Sequence, residues 1–305
     1  KYIDMSNFRL KVFHTVAMNL NFSKAAELLY ISQPAVSKNI KEMEAELDIK
    51  LFDRIAGKVR MTDAGRIVFE YAESVLKLEK ELLFNLGSLK RKYSGTLKIG
   101  ASTTIGQYII PSVLARFHEK NKDIELSLLN DNTEKIENAL LKNEIDIAIV
   151  EGSSKNNLIK YIPFLKDEIV AIVHTSQPLS QKDEISIDEL KKIPLVLREE
   201  GSGSLEVIAE KLKEYDIKLT DMNIVLHLGS TESIKSYLAY SNSMGLISVN
   251  AVTKEIANGE FKIIDITDLE INRIFYFIHP HGQLSGLPEM FMNFTQKLIT
   301  NGYGL

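Results

Sequence analysis

From Asn21 to Ile40 the chain reads NFSKAAELLYISQPAVSKNI, two apolar-faced helical patterns with a break between them too short for a loop. Few folds accept two helices so closely joined. Phe8, Val12, Phe13 and Val16 recur at helical spacing and predict a preceding helix with one apolar face. Ser23 is placed as the N-cap of the second helix, because its hydroxyl can accept from the first free amides. Ala25, Ala26, Leu28 and Leu29 follow, and the small Ala25-Ala26 pair lets a neighbouring helix come close. Ile31 fills the corner. Ser32 caps the third helix, with Pro34 in its first turn, where a missing amide hydrogen costs little. Val36, Ile40, Met43 and Leu47 then form one buried stripe, and the opposite face offers Gln33, Ser37, Lys38 and Lys41. A helix-turn-helix needs this arrangement: polar side chains read base edges while lysines neutralise phosphates. A plain three-helix bundle with a solvated polar face shares the pattern.

The next segment favours the nucleic-acid reading. LFDRIAGKVRMT, Leu51 to Thr62, alternates about Ala56-Gly57 and predicts a hairpin carrying Arg54, Lys58 and Arg60. A basic wing beside a recognition helix suits an adjacent backbone or minor groove. Thr62-Asp63 then opens a long helix reaching about Lys92. Val68, Tyr71, Val75, Leu78 and Leu82 step by three and four, and the stripe resumes at Leu86 and Leu89 beyond Asn85. A helix of about 30 residues is roughly 45 Å long, and such a seam predicts packing against a second copy. Packing within its own domain is the alternative. A dimer would present two readers to two half-sites.

Composition narrows the class. Residues 1–94 hold 16 Lys+Arg against 12 Asp+Glu, a charge of +4. The remainder is acidic enough to bring the 305-residue chain to −4, so only the head is suited to a polyanion. There is no cysteine, which excludes disulfides, thiolate metal sites and a cysteine nucleophile. No apolar run approaches the roughly 18 residues of a membrane helix, and no signal-peptide pattern opens the chain. No membrane association is expected, and a cytoplasmic location is.

FSKAAELLYISQPAVSKNIKEMEAELDIKLFDR, together with MTDAGRIVFEYA, resembles the N-terminal signature of the LysR-type transcriptional regulators. The correspondence falls on Ala25, Ala26, Leu28, Ser32, Gln33, Pro34, Ala35, Val36, Ser37, Ile40, Leu47, Leu51, Phe52, Arg54, Thr62, Ala64 and Gly65. Asp48 departs from it, standing where the family usually has glycine, and aspartate tolerates the left-handed conformation of such a C-cap. The resemblance implies a winged helix-turn-helix, a dimerising linker helix and a C-terminal effector domain, often in homotetramers. Double-stranded DNA and a second copy of the chain are the implied partners, with RNA polymerase a further candidate.

Beyond Ser94-Gly95 the reading again rests on pattern. LKIGA, Gly106–Asn121, IELSLLN, Glu134–Lys142 and IDIAIV alternate strand and helix, as in a parallel sheet covered on both faces. A second set follows through EIVAIVH, IPLVLR, a helix after Gly203, NIVLHL, a helix from Thr231 and MGLISV; IFYFIHP and a last helix ending near Thr300 remain. The leftover strand and helix suggest that the chain crosses between two α/β halves near Pro163–Lys166 and returns near Thr267–Asn272. The family's effector domain resembles type II periplasmic binding proteins, which share this layout. The expected divisions are residues 1–61 for the winged reader, 62–93 for the linker, 94–163 and 268–305 for effector subdomain I, and 164–267 for subdomain II.

Three segments suit a cleft beyond the carboxyl ends of those strands. They are Ser102, Thr103 and Thr104; Gly201, Ser202, Gly203 and Ser204; and Ser230 with Thr231. Each precedes a helix, where free amides and partial positive charge favour a small anion or carboxylate. Each is also an ordinary capping sequence. Glu199-Glu200 oppose an anion unless they point outward or Arg198 compensates one, so an amino-bearing or cationic metabolite competes. The effector's identity is not legible, and no other cofactor is expected. An α/β enzyme with an accessory helical domain is the reading from a different class. No nucleophile elbow, phosphate-binding lysine loop or dinucleotide fingerprint supports it. His279 and His281 alone approach metal-ligand spacing, without a carboxylate nearby, so no metal is expected.

Overall fold

The computed structural model describes residues 7–55, 58–89, 92–152 and 156–300; the side chains of Arg54, Ile55, Ser88 and Thr300 fall outside that set. The chain divides into two compact units, 1–91 and 92–305. The expected turn at Ala56-Gly57 and residues 1–4 lie outside the described residues.

The first unit contains α1 (Asn7–Asn19), α2 (Phe22–Leu28), α3 (Gln33–Leu47), the hairpin β1 (Phe52–Ile55) and β2 (Lys58–Met61), and α4 (Asp63–Leu89). Its core gathers Phe13 and Val16 from α1, Ala25 and Ala26 from α2, and Val36, Ile40 and Met43 from α3. Ser32 caps α3 through the Ala35 amide, 3.3 Å away, and Pro34 stands in its first turn. Asp48 ends α3 at φ 52°, in the left-handed region. One expectation is corrected. Asn21, not Ser23, caps α2; its Oδ1 accepts from the amides of Ser23 and Lys24, both at 3.0 Å, and Ser23 lies inside the helix. A carboxamide oxygen two residues earlier satisfies both amides, so the helix begins sooner. Glu44 ties α3 to the hairpin, accepting from the Leu51 and Phe52 amides at 2.9 and 3.3 Å and from Lys50 at 2.7 Å. Burial pushes its carboxyl up, but these bonds outweigh it and hold the pKa below the ordinary value.

Helix α4 starts where Thr62 Oγ1 accepts from the Gly65 amide at 3.0 Å. It is described as far as Leu89; Lys90 and Arg91 lie outside the described residues, and Lys92, the expected end, is not helical. Val68 and Ala72 are drawn into the unit's own core. Tyr71, Val75, Leu78, Leu82, Leu86 and Leu89 are exposed, Leu78 by 63%.

The second unit runs β3 (Gly95–Ser102), α5 (Thr103–Tyr108), α6 (Ile110–Lys120), β4 (Ile124–Asp131), α7 (Thr133–Leu141), β5 (Ile147–Glu151) and β6 (Ile159–His174). It continues through β7 (Glu184–Ile185), α8 (Ile187–Leu190), β8 (Leu195–Arg198), α9 (Gly203–Lys213), β9 (Ile224–Leu228), α10 (Thr231–Leu238) and β10 (Met244–Ser248). It closes with α11 (Thr253–Ala257), β11 (Phe261–Ile263), β12 (Asp265–Ile266), β13 (Ile271–Pro280) and α12 (Gly286–Thr300). The helix expected over Gly106–Asn121 is two helices, and Pro111 stands in the first turn of the second, where it cannot continue a preceding helix.

The main sheet is one hydrogen-bonded path, β4-β3-β5-β13-β6-β10-β8-β9, with β11 paired to β6. Pairs β3–β4, β3–β5, β8–β9 and β8–β10 are parallel; β6 and β13 join the two parallel sets antiparallel. Strand β6 runs unbroken through Pro163–Lys166. Its early residues pair with β13, and Ile169–Ile172 pair with β10. A bulge between Phe275 and Tyr276 leaves Phe164 without an opposite residue, beside Pro163, which has no amide hydrogen to donate. The inner strands of each parallel set are apolar on both faces, while the edge strands β4 and β9 are partly exposed. In the first, Leu97, Ile99 and Ala101 point into one core while Ala148 and Val150 serve another. In the second, Leu195 and Leu197 face opposite to Val196. Strands covered on both sides read as continuous apolar runs for this reason.

Candidate functional site

The carboxyl ends of β3 and β4 face those of β8 and β9, and every segment singled out from the sequence beyond Gly95 as a ligand candidate lies there. Thr103 Oγ1 donates to the Asp131 carbonyl (3.3 Å) and accepts from Arg198 Nη2 (3.1 Å). Asn132 Nδ2 reaches Glu199 at 3.4 Å, and the Glu134 amide donates to the Gly201 carbonyl at 3.2 Å. Tyr108 donates to Glu232 from the opposite half.

Several of the expected hydroxyls are already committed. Ser102 donates to the buried carboxylate of Glu151 and makes no cap to α5. Ser204 accepts from Arg273 Nη1 at 2.7 Å and donates weakly to Glu151 at 3.5 Å. Ser230 caps α10 through the Ser233 amide at 3.1 Å. Gly203 lies so close to the Glu151 carbonyl that a Cβ would collide with it, while Gly201 takes φ 82°. The hydroxyls of Thr104 and Thr231 belong to buried residues and make no hydrogen bond among the described residues. Ser202 Oγ is also buried without a partner.

Arg198 escaped the sequence reading except as a compensator of Glu199, because it looked like the last residue of a strand. It is 2% exposed. Its Nε and Nη2 donate to the Glu199 carboxylate at 2.8 and 3.0 Å, yet its buried Nη1 has no partner. Burial pushes the Glu199 carboxyl up, but bonding and charge from Arg198 hold it below the ordinary value.

A second buried network had no local sequence signal. Arg273 on β13 stands opposite Asp167 on β6, with Nε donating at 2.6 Å. Ser248 and Asn250 each donate to the other Asp167 oxygen at 2.7 Å. Glu151 lies 3.7 Å from Arg273 Nη1. His279 is buried with Nδ1 2.7 Å from the Pro280 carbonyl, and among the described residues no group of three His, Cys, Asp or Glu is placed to hold a metal.

In the first unit the exposed side of α3 and the hairpin form a basic, polar face. Gln33 Nε2 donates to Ser37 Oγ at 2.8 Å. Lys38 lies 3.8 Å from Glu42, which also binds Arg9, so its charge is partly answered. Lys41, Lys58 and Arg60 are exposed and form no ion pair among the described residues. Arg54 contributes backbone to β1; its side chain lies outside the described set. Tyr30, which the sequence reading passed over, is 96% exposed in the α2–α3 turn at φ 54°.

Two family models match the chain: the bacterial regulatory helix-turn-helix protein of the lysR family over residues 8–66, and the LysR substrate binding domain over 90–298. A probable RuBisCO transcriptional regulator of Trieres chinensis is 33% identical over 291 residues, covering 93% of this chain and 94% of that one. That of Phaeodactylum tricornutum is 33% identical over 294 residues, covering 95% and 96%. Among solved structures, the regulatory domain of Synechocystis CcmR in complex with 2-PG is 31% identical, with TM-score 0.62 over 68% of this chain and 99% of that one. Full-length CbnR complexed with its target DNA shares the fold at 18% identity, TM-score 0.61, over 96% and 99%. A DNA-reading unit joined to a ligand-binding α/β unit defines a DNA-binding transcriptional regulator. The chain belongs to the LysR family of these regulators.

Breaking a buried ion pair by removing one partner costs about 3–5 kcal/mol. Asp167→Ala is therefore expected to destabilise the effector unit by roughly that amount, because Arg273, Ser248 and Asn250 all lose their acceptor. Urea unfolding followed by a probe in the effector unit measures the loss. A change below about 1 kcal/mol would mean the network is solvated.

Proposed function

We propose that this regulator is controlled by a small anion, a carboxylate or phosphate-bearing metabolite, held by Arg198, Thr104 and Thr231. The observation that carries the reading is the buried Arg198 Nη1 without a partner. An unmet buried donor costs about 1–3 kcal/mol, more when charged, and a ligand oxygen recovers that cost. The two threonine hydroxyls stand at helix starts, where partial positive charge adds to the attraction. The 2-PG complex of a 31% identical regulatory domain supports a phosphate-bearing carboxylate as the ligand class. Glu199 already neutralises part of Arg198, so affinity is moderate by design of the site and selective for ligands that reach the remaining nitrogen. Ligand acts by biasing the angle between the halves, 94–163 with 268–305 against 164–267.

On the DNA side, Gln33 and Ser37 read bases, while Lys41, Lys58 and Arg60 bind phosphates, with Ser32 and Pro34 fixing the start of the helix. The exposed stripe Tyr71, Val75, Leu78, Leu82, Leu86 and Leu89 joins two copies into a homodimer, since so continuous an apolar face is covered in stable proteins. The protein carries no catalytic role in this reading and works in the cytoplasm. Relatives spanning over nine-tenths of its length are named as probable transcriptional regulators, and among the described residues no helix is long and apolar enough to cross a membrane.

Three kinds of measurement test this. Calorimetry with 2-phosphoglycolate and related anions should show Thr104→Ala weakening the best ligand about tenfold to a hundredfold, the worth of one bond to a charged group. Glu199→Gln should instead tighten it, by freeing Arg198; loss of anion binding in that variant, or a cation whose binding depends on Glu199, would overturn the assignment. In DNA titrations Gln33→Ala should relax base preference at a loss of about 1–3 kcal/mol per contact. Lys41→Ala and Lys58→Ala should weaken all sequences and flatten the salt dependence by about one unit per contact; Lys38→Ala should do less, because Glu42 already answers it. Leu78→Asp should give monomers by sedimentation, since a buried unpaired carboxylate far outweighs a lost methyl contact; a monomeric parent would refute the dimer.

A further inference from the structure

A cavity of about 440 Å³ opens beside the cleft, lined from the first half by Glu134 and Glu137 of α7 and from the second by Glu200 and Glu206. This volume lies within the range of small-molecule sites. Acidic clusters are usually solvated faces, but two further facts distinguish this one. Ser202 lines the same cavity, is 3% exposed, and its Oγ has no hydrogen-bond partner, so a buried acceptor for an N–H donor stands among the carboxylates. The remaining wall is apolar, formed by Leu205, Ala209 and Leu219. No Lys or Arg among the described residues forms an ion pair with Glu134, Glu137 or Glu200.

We propose that this cavity binds a linear aliphatic polyamine, whose ammonium groups meet the carboxylates and Ser202 while its methylenes lie along Leu205, Ala209 and Leu219. Among the described residues no three acidic groups are gathered closely enough for a metal ion, which favours charges spread along a chain over one compact cation. Glu137 shows the need for such charge. Burial pushes its carboxyl above the ordinary value, Glu206 and Glu134 add to this, and the bond from Tyr161 (2.8 Å) offsets it in part. The occupant would touch α7 and α9 together, beside the Glu134-to-Gly201 backbone bond that joins the halves. It therefore favours the closed arrangement, and the regulator reads a cation as well as an anion. Only the Gly201-Ser202 turn is common to this cavity and the helix starts of the cleft, so either site can fail without the other.

The test is calorimetry on the full chain without DNA, in about 150 mM salt to suppress loose counterion binding. Spermidine should bind with one-to-one stoichiometry, putrescine more weakly, and a diol of matched length not at all. Glu137→Gln, which keeps an acceptor for Tyr161, and Glu134→Gln should each weaken spermidine about tenfold. Ser202→Ala should weaken it a few-fold, and Thr104→Ala should leave it unchanged. Absence of saturable heat, equal binding by magnesium, or indifference to both carboxamide variants would overturn the proposal.

Discussion

Arg273 and Asp167 face each other where β13 crosses β6, sealed from water at the point where the chain passes between its two α/β halves. Taking both charges out of water is costly, and their attraction offsets that cost only with close geometry and further hydrogen bonds to the remaining donors and acceptors. Ser248 and Asn250 from the second half complete Asp167. Ser204, also from the second half, and Glu151 from the first answer Arg273 Nη1, while its buried Nη2 has no partner among the described residues. A slip of one residue between β6 and β13 would turn these side chains to the other face and leave the charges unpaired. One register is therefore strongly preferred. Because β5 and β10 hydrogen-bond to those same two strands, the register aligns both parallel sets and brings their carboxyl ends opposite each other.

The cleft follows from that alignment. Hydroxyls at helix starts are common and mostly cap their own helices, as Ser230 does. What separates the others is whether the opposing half supplies a partner. Thr103 is met by Arg198 and Ser204 by Arg273, whereas Thr104 and Thr231 have none among the described residues. Arg198 is held in place by Glu199 and Thr103, which fixes the guanidinium in advance and leaves one nitrogen pointing at no acceptor. A charged donor fixed in this way loses little freedom on binding, which is how a small ligand gains affinity from few contacts.

Much of the reading unit was legible locally. Ser32, Pro34 and the left-handed Asp48 mark the ends of α3, and the stripe Val36, Ile40, Met43 marks its buried face. These are interactions between residues a few positions apart, where spacing determines geometry. Errors arose where two local solutions competed. Asn21 took the amides expected for Ser23, and Pro111 divided a helix whose apolar spacing continues across it. The seam of α4 was legible as a stripe, but not that Val68 turns into the unit's own core while Leu78 stays exposed. That division depends on where α1 lies against α4.

By itself, then, the amino-acid order determined the helix-turn-helix, the basic character of its outer face, the alternation of strand and helix beyond Gly95 and the hydroxyl-rich helix starts. All of these follow from period, capping and charge within short windows. Only the tertiary structure decided which hydroxyls are free, that Arg198 keeps a buried guanidinium nitrogen uncommitted, and that Asp167 and Arg273, more than 100 positions apart, meet inside the protein. Hydrogen-bond capacity is settled by the nearest neighbour in space. For a side chain at the end of a strand, that neighbour comes from the opposite half of the sheet.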